Sequence, residues 1–129
     1  MHTSIDILTG ETVELLQQLI RNQCVNDGRP ESGNEQASAT LLRDEIEGLG
    51  LDSELIETEP GRTSLITRYP GTDAGAPALC LMGHTDVVPV NADGWTHDPF
   101  GGELIPSSDG VPEVWGRGAV DMLNLTSSM

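Results

Sequence analysis

The chain has 129 residues, with 21 acidic side chains against 6 basic ones and a formal charge of −15, and its pI is near 4.1. That length accommodates one domain at most, and a field of that sign repels nucleic-acid backbones and anionic lipid headgroups, which argues against either as a partner. Every basic residue is an arginine, and the aromatics are Tyr69, Trp95, Phe100 and Trp115, so a core has to be built mainly from aliphatic side chains.

In residues 12–24, Leu15, Leu16, Leu19, Ile20 and Cys24 recur at helical spacing, with Glu11 and Glu14 near the end where the helix dipole favours negative charge; the spacing predicts an amphipathic helix. Asn26, Asp27, Gly28 and Pro30 then mark a turn-rich segment. Ser32 and Glu35 form an S-x-x-E capping box that predicts a second helix carrying Ala37, Leu41, Leu42, Ile46 and Leu49, stopping at Gly48 and Gly50. Residues 53–57 and 63–69 read as short strands, and the acidic run 54–59 as a solvated edge that discourages strand addition.

Residues 78–82 are apolar without alternation, the pattern of a strand covered on both faces. With the helices, this predicts an α/β fold, a mixed sheet flanked by helices. Residues 90–112 read as loop, and Met122, Leu125 and Met129 predict a last helix over 121–129. That helix lacks a glycine stop, a basic last turn and a following proline, so the chain is expected to be the truncated N-terminal part of a single catalytic domain, 1–129. Cys24 and Cys80 are expected to be reduced and buried. No apolar run reaches the ~20 residues of a membrane span and no signal peptide is recognisable, which predicts a cytoplasmic protein.

The segment Gly83-His84-Thr85-Asp86-Val87-Val88-Pro89 follows the predicted buried strand, where ligands of open α/β sheets collect. In extended chain, residues i and i+2 share a side, so the Asp86 carboxylate can reach the His84 imidazole, the arrangement that orients metal-binding histidines. A lone histidine at a strand end is more often structural or solvated than a ligand. Trp115-Gly116-Arg117-Gly118-Ala119-Val120-Asp121-Met122 is a glycine-rich turn that delivers a carboxylate to a helix start. Asp121 there is either a cation ligand or a helix N-cap. His97 falls in a proline-containing loop and His2 near the terminus, and neither is read as catalytic. Arg117 is read as pairing with nearby acidic groups to hold its turn, in preference to reaching a substrate carboxylate.

Taken together and in order, SGNE, the 62–69 strand, LMGHTDVVP, W-x-x-DPF-x-G, DG and VWGRGAVDM resemble the N-terminal signatures of a family of co-catalytic zinc metallopeptidases. It comprises aminoacylases, acetylornithine deacetylases, succinyl-diaminopimelate desuccinylases and carboxypeptidases of the glutamate (carboxypeptidase G) type. The resemblance implies the N-terminal part of a zinc-peptidase-like catalytic domain, with His84 a ligand of one zinc and Asp121 bridging two. Asp86 becomes the catalytic-centre carboxylate that orients His84. It implies a metallohydrolase that cleaves the amide bond of a small peptide or N-acyl amino acid with a metal-bridging water as nucleophile, using two zinc ions for which cobalt or manganese could substitute. A Glu-Glu pair with the general base, the other ligands and a lid domain for homodimerisation are expected beyond Met129. Leu123 and Asn124 stand where the commonest pattern has Lys and Gly, and residues 105–114 look longer than usual. The 129-residue chain alone is expected to be inactive. The alternative is an acidic, non-catalytic cation-binding or interaction remnant of that fold. A nucleophilic hydrolase is disfavoured, because no G-x-S-x-G elbow is present.

Overall fold

The computed structural model describes residues 4–129, so His2 lies outside the described residues. Helix α1 (Ser4–Arg21) opens with Asp6 and closes with Arg21, matching charge to the dipole at both ends. It starts several residues before the predicted 12–24. Ile5, Ile7 and Leu8 on the added turns are exposed, while Leu16, Leu19 and Ile20 on the later turns are buried. These three form the core with Val87 and Leu123, and Leu41, Leu42, Phe100, Val114 and Ala119 pack around them.

Gln23, at φ 51°, ends α1 and turns the chain into Val25. There the backbone forms an isolated parallel bridge with Val87. The Asn26 amide donates to the Val87 carbonyl at 2.8 Å and the Val87 amide to the Cys24 carbonyl at 2.9 Å.

Helix α2 (Gln36–Ile46) continues into a 3-10 turn (Glu47–Leu49) and stops at Gly50 in the left-handed region. The predicted capping box does not form. Glu35 occupies the N-cap position without a side-chain cap bond, because its carboxylate is engaged by Arg62 at 2.6 Å. Ser32 lies too far back to cap, and its hydroxyl donates to the Arg29 carbonyl at 2.8 Å.

The two short strands predicted at 53–57 and 63–69 are present as β1 (Asp52–Glu59) and β2 (Arg62–Arg68), which pair as an antiparallel hairpin with Leu55 opposite Leu65. The acidic face of β1 is exposed. The Arg62–Glu35 pair and a bond from the Gln36 amide to the Gly61 carbonyl at 3.0 Å fasten the hairpin to α2.

Residues 78–82 depart from expectation. They form no strand, and Leu79 and Met82 are 84% and 81% exposed. An apolar extended segment becomes a covered strand only with a ladder partner on each side, and among the described residues none runs beside it. Cys80 is consequently exposed, whereas Cys24 is buried as expected.

A second antiparallel hairpin pairs β3 (Glu103–Pro106), inside the 90–112 segment read as loop, with β4 (Pro112–Trp115), which starts at its last residue. It accounts for the long 105–114 stretch. Among the described residues the ladders are therefore two separate two-stranded sheets beside three α-helices. The α/β character holds, while no single mixed sheet joins them among the described residues. No described helix is long and apolar enough to cross a membrane.

Helix α3 (Leu123–Ser128) is shorter than the predicted 121–129 and turns a different face inward. Leu123 and Ser127 are buried, one turn apart, while Leu125 and Met129 are exposed. Gly118, at φ +90°, makes this packing possible: a Cβ there would lie 2.7 Å from Leu123 Cδ1 and 2.8 Å from Val87 Cγ1. Gly83 has a comparable role, since a Cβ on it would lie 2.5 Å from Thr126 Oγ1.

Two predictions follow from the burial pattern. In native buffer Cys80 reacts at once with a thiol reagent. Cys24 reacts slowly until the chain unfolds, because burial raises its thiol pKa and shields it; equal native rates would contradict the packing of Cys24 against Ser38 of α2. Gly118→Ala lowers stability by roughly 2–3 kcal/mol through backbone strain and overpacking. Gly10→Ala, inside α1 with nothing within 4 Å of the new Cβ, raises it by ~0.5–1 kcal/mol. Urea unfolding followed by circular dichroism measures both.

Candidate metal centre and cleft

The bridge at Val87 sets the register of the preceding residues. Asp86 then faces Asn26, whose Nδ2 donates to Asp86 Oδ2 at 2.8 Å. Asn26 is held in turn, because its Oδ1 accepts from the Gly28 amide at 3.0 Å and from Ser32 Oγ at 3.4 Å. Beside it, Arg29 forks onto Asp27 and holds that carboxyl far below its ordinary pKa.

The other oxygen of Asp86 meets His84. Oδ1 lies 3.1 Å from His84 Nδ1, and the Asp86 carbonyl lies 2.9 Å from the same nitrogen. Both neighbours are acceptors, so Nδ1 has to carry the proton, and the lone pair of the neutral ring is left on Nε2. His84 is fixed along its backbone as well, its carbonyl accepting from Thr126 Oγ1 of α3 at 3.0 Å.

Nε2 points to Asp121. Its distance to Asp121 Oδ1 is 3.5 Å. Asp121 comes from the turn after β4, where the Arg117 amide donates to the Pro99 carbonyl at 2.6 Å and the Leu123 amide to the Gly118 carbonyl at 2.9 Å; the Asp121–Met122 peptide is cis. The N-cap reading of Asp121 fails, since Met122 occupies that position without a side-chain bond. The Asp121 side chain is instead 90% exposed at the cleft mouth, against 28% for Asp86. Either a proton on Nε2 or a shared cation would offset the repulsion of these two lone-pair atoms.

These groups line an open cleft of about 630 Å³ with Asn26, Val88, Trp95 and Arg117. The structure thus brings His84, Asp86 and Asp121 together from two segments far apart in sequence. Among the described residues, no group of three or more His, Cys, Asp or Glu side chains is placed to hold a metal. His97 stays outside the cleft, with Nδ1 3.6 Å from Glu103 Oε2 and its ring against Trp115. Asn26 had no marker in the sequence, since its partner is sixty positions away. Arg117 overturns the expectation of a turn-holding ion pair: none of the ion pairs among the described residues includes it, and its guanidinium lies 5.4 Å from the Trp95 ring centroid.

The W-x-x-DPF-x-G segment seats this wall on α1. Asp98 Oδ1 accepts from the Phe100 amide at 2.9 Å, the Gly102 carbonyl accepts from Gln17 Nε2 at 2.5 Å and the Gly101 carbonyl from Arg21 Nε at 2.9 Å.

No protein-family model matches the chain. Aminoacylase-1 of Mus musculus is 35% identical over 115 residues, covering 89% of this chain and 26% of the relative. Aminoacylase-1 of Sus scrofa is 36% identical over 111 residues, with coverages of 86% and 25%. Succinyl-diaminopimelate desuccinylase of Gluconobacter oxydans (strain 621H) is 37% identical over 120 residues, with coverages of 89% and 28%. The chain spans about a quarter of the length of the curated relatives it matches. Across that span the chain belongs to the family of aminoacylase-1 and succinyl-diaminopimelate desuccinylase, consistent with the N-terminal part of that family.

Proposed function

We propose that this chain supplies one wall of a dizinc centre that hydrolyses the amide bond of an N-acyl amino acid or small peptide. The observation that carries the reading is the facing pair, His84 Nε2 and Asp121 Oδ1, at 3.5 Å. Donors on one tetrahedral zinc with bonds of ~2.0–2.2 Å stand ~3.3–3.5 Å apart, so the spacing fits a shared metal, and imidazole with carboxylate is a donor set zinc accepts. His84 and Asp121 would hold the ions, Asp121 by bridging, with cobalt or manganese as substitutes. Zinc so held supplies a Lewis acid for the amide carbonyl and lowers the pKa of water.

The chain's own residues prepare that site. Asp86 keeps the proton on His84 Nδ1 and so keeps Nε2 a donor, while Asn26 keeps Asp86 from turning away. The names of the relatives, an aminoacylase and a desuccinylase, support an acylated amino acid as substrate. The charge of −15 supports the absence of nucleic acid, and two free cysteines fit a reducing cytoplasm.

Among the described residues, the cleft is lined by no carboxylate besides Asp86 and Asp121 to act as general base. On this reading the isolated 129-residue chain binds zinc weakly and does not turn over. Titration with zinc at ~0.15 M ionic strength, where diffuse attraction is screened, is expected to show one weak site lost in His84→Ala and Asp121→Ala. Asp86→Asn weakens it by roughly 10–100-fold and Asn26→Ala by less, on the scale of partners that orient a ligand. Unchanged zinc affinity in His84→Ala would refute the assignment. Zinc-dependent hydrolysis of N-acetyl amino acids by this chain would refute its inactivity.

A further inference from the structure

Asp86 grips the His84 imidazole on its Nδ1 side, but that grip does not set the distance to Asp121, which arrives on a different segment. A hydroxyl group spans the gap between the two segments. Thr126 Oγ1, on α3, donates to the His84 carbonyl at 3.0 Å. Apart from the facing pair of His84 and Asp121 itself, no other hydrogen bond or ion pair among the described residues joins residues 83–86 to residues 121–129.

The hydroxyl has one proton and two acceptors within reach, the His84 carbonyl and, at 3.3 Å, the Met122 carbonyl one turn back. In an isolated helix the second would win, since a threonine there bonds back to the carbonyl four residues before it. Here the Met122 carbonyl already accepts from the Leu125 and Thr126 amides, both at 3.0 Å, so both of its lone pairs are engaged. The His84 carbonyl has no other donor among the described residues. The proton therefore goes to His84. Gly83 permits the approach, because a Cβ on it would lie 2.5 Å from Thr126 Oγ1. The helix that carries the hydroxyl is anchored independently, by Leu123 in the core and by the bond from the Leu123 amide to the Gly118 carbonyl at 2.9 Å.

We propose that Thr126 is a positioning residue of the metal centre: its hydroxyl ties the main chain of His84 to the helix that follows Asp121 and holds the two donor atoms at the spacing of one small ion. That spacing is 3.5 Å, which suits donors sharing a zinc. Without the hydroxyl, water takes its place at the exposed His84; the fold survives, and the gap widens and fluctuates. A small ion loses more from a wider gap than a larger ion with longer bonds, so Thr126 sets size preference as well as affinity. The effect on metal choice rests on the zinc reading, whereas the tie itself does not.

The test compares the unaltered chain with Thr126→Val, which keeps the shape of the side chain and removes the hydroxyl, and with Thr126→Ser, which keeps the hydroxyl. Zinc and the larger cadmium ion are titrated into each at ~0.15 M ionic strength, and the His84 carbonyl-carbon and imidazole-nitrogen resonances are followed without metal. Thr126→Val is expected to weaken zinc by roughly 3–10-fold, the scale of one net hydrogen bond, and cadmium by a smaller factor, while Thr126→Ser binds both as the unaltered chain does. Unchanged zinc affinity in Thr126→Val, equal losses of zinc and cadmium, or failure of Thr126→Ser to restore binding overturns the proposal. If none of the three chains binds zinc, the zinc reading fails and the metal-free resonances decide the tie: shifts of His84 confined to Thr126→Val support it, and identical spectra overturn it. A nuclear Overhauser contact between the Gly83 α protons and the Thr126 β proton is expected in the unaltered chain, and its absence overturns the tie whether or not Thr126→Val folds.

Discussion

Two backbone hydrogen bonds between residues 24–26 and Val87 hold the molecule in register. Val87 belongs to the core, packed with Leu16, Leu19, Ile20 and Leu123. Its neighbours on one side are the polar residues of the cleft. Burial of Val87 and exposure of His84 are therefore one constraint, applied to a single extended stretch. A slip by one residue at the bridge would turn the Asp86 carboxylate inward and bring Thr85 opposite Asn26, because successive side chains alternate in an extended chain. The chemistry of the cleft depends on an apolar residue being anchored beside it.

Several features of the fold are local enough to be read from residue order. The stripe at Leu16, Leu19 and Ile20 and the β1–β2 hairpin follow from side-chain periods and from the turn at Pro60-Gly61. The neighbourhood of His84 and Asp86 is likewise an i, i+2 relation. What could not be read depends on partners distant in sequence. Glu35 follows Ser32 at capping-box spacing, but it belongs to Arg62, and the pair between them outweighs the cap. Residues 78–82 have the composition of a buried strand but have no ladder among the described residues. The β3–β4 hairpin was legible in part, since Asp109-Gly110 sits between Leu104-Ile105 and Val111; Pro106 and Pro112 at its inner ends masked it. Asn26 and Trp95 join the cleft through contacts that no spacing rule anticipates.

The glycine-rich turn that carries Asp121 does more than bend the chain. Gly118 admits Leu123 and Val87, and Gly83 admits Thr126, so α3 lies directly against the segment that carries His84. The same short helix thereby seals the core with Leu123 and braces His84 with Thr126. Packing and site geometry share these contacts.

The bare stretch at Leu79, Cys80, Leu81 and Met82 also bears on how the protein behaves in concentrated solution. An extended backbone with unpaired amides and large apolar side chains is a ready template for another copy of itself. At neutral pH the charge of −15 keeps copies apart. As the solution is acidified toward the pI near 4.1, that repulsion vanishes while the sticky segment stays unchanged. Colloidal stability is thus electrostatic in origin, and acid or added salt removes the repulsion that shields this segment.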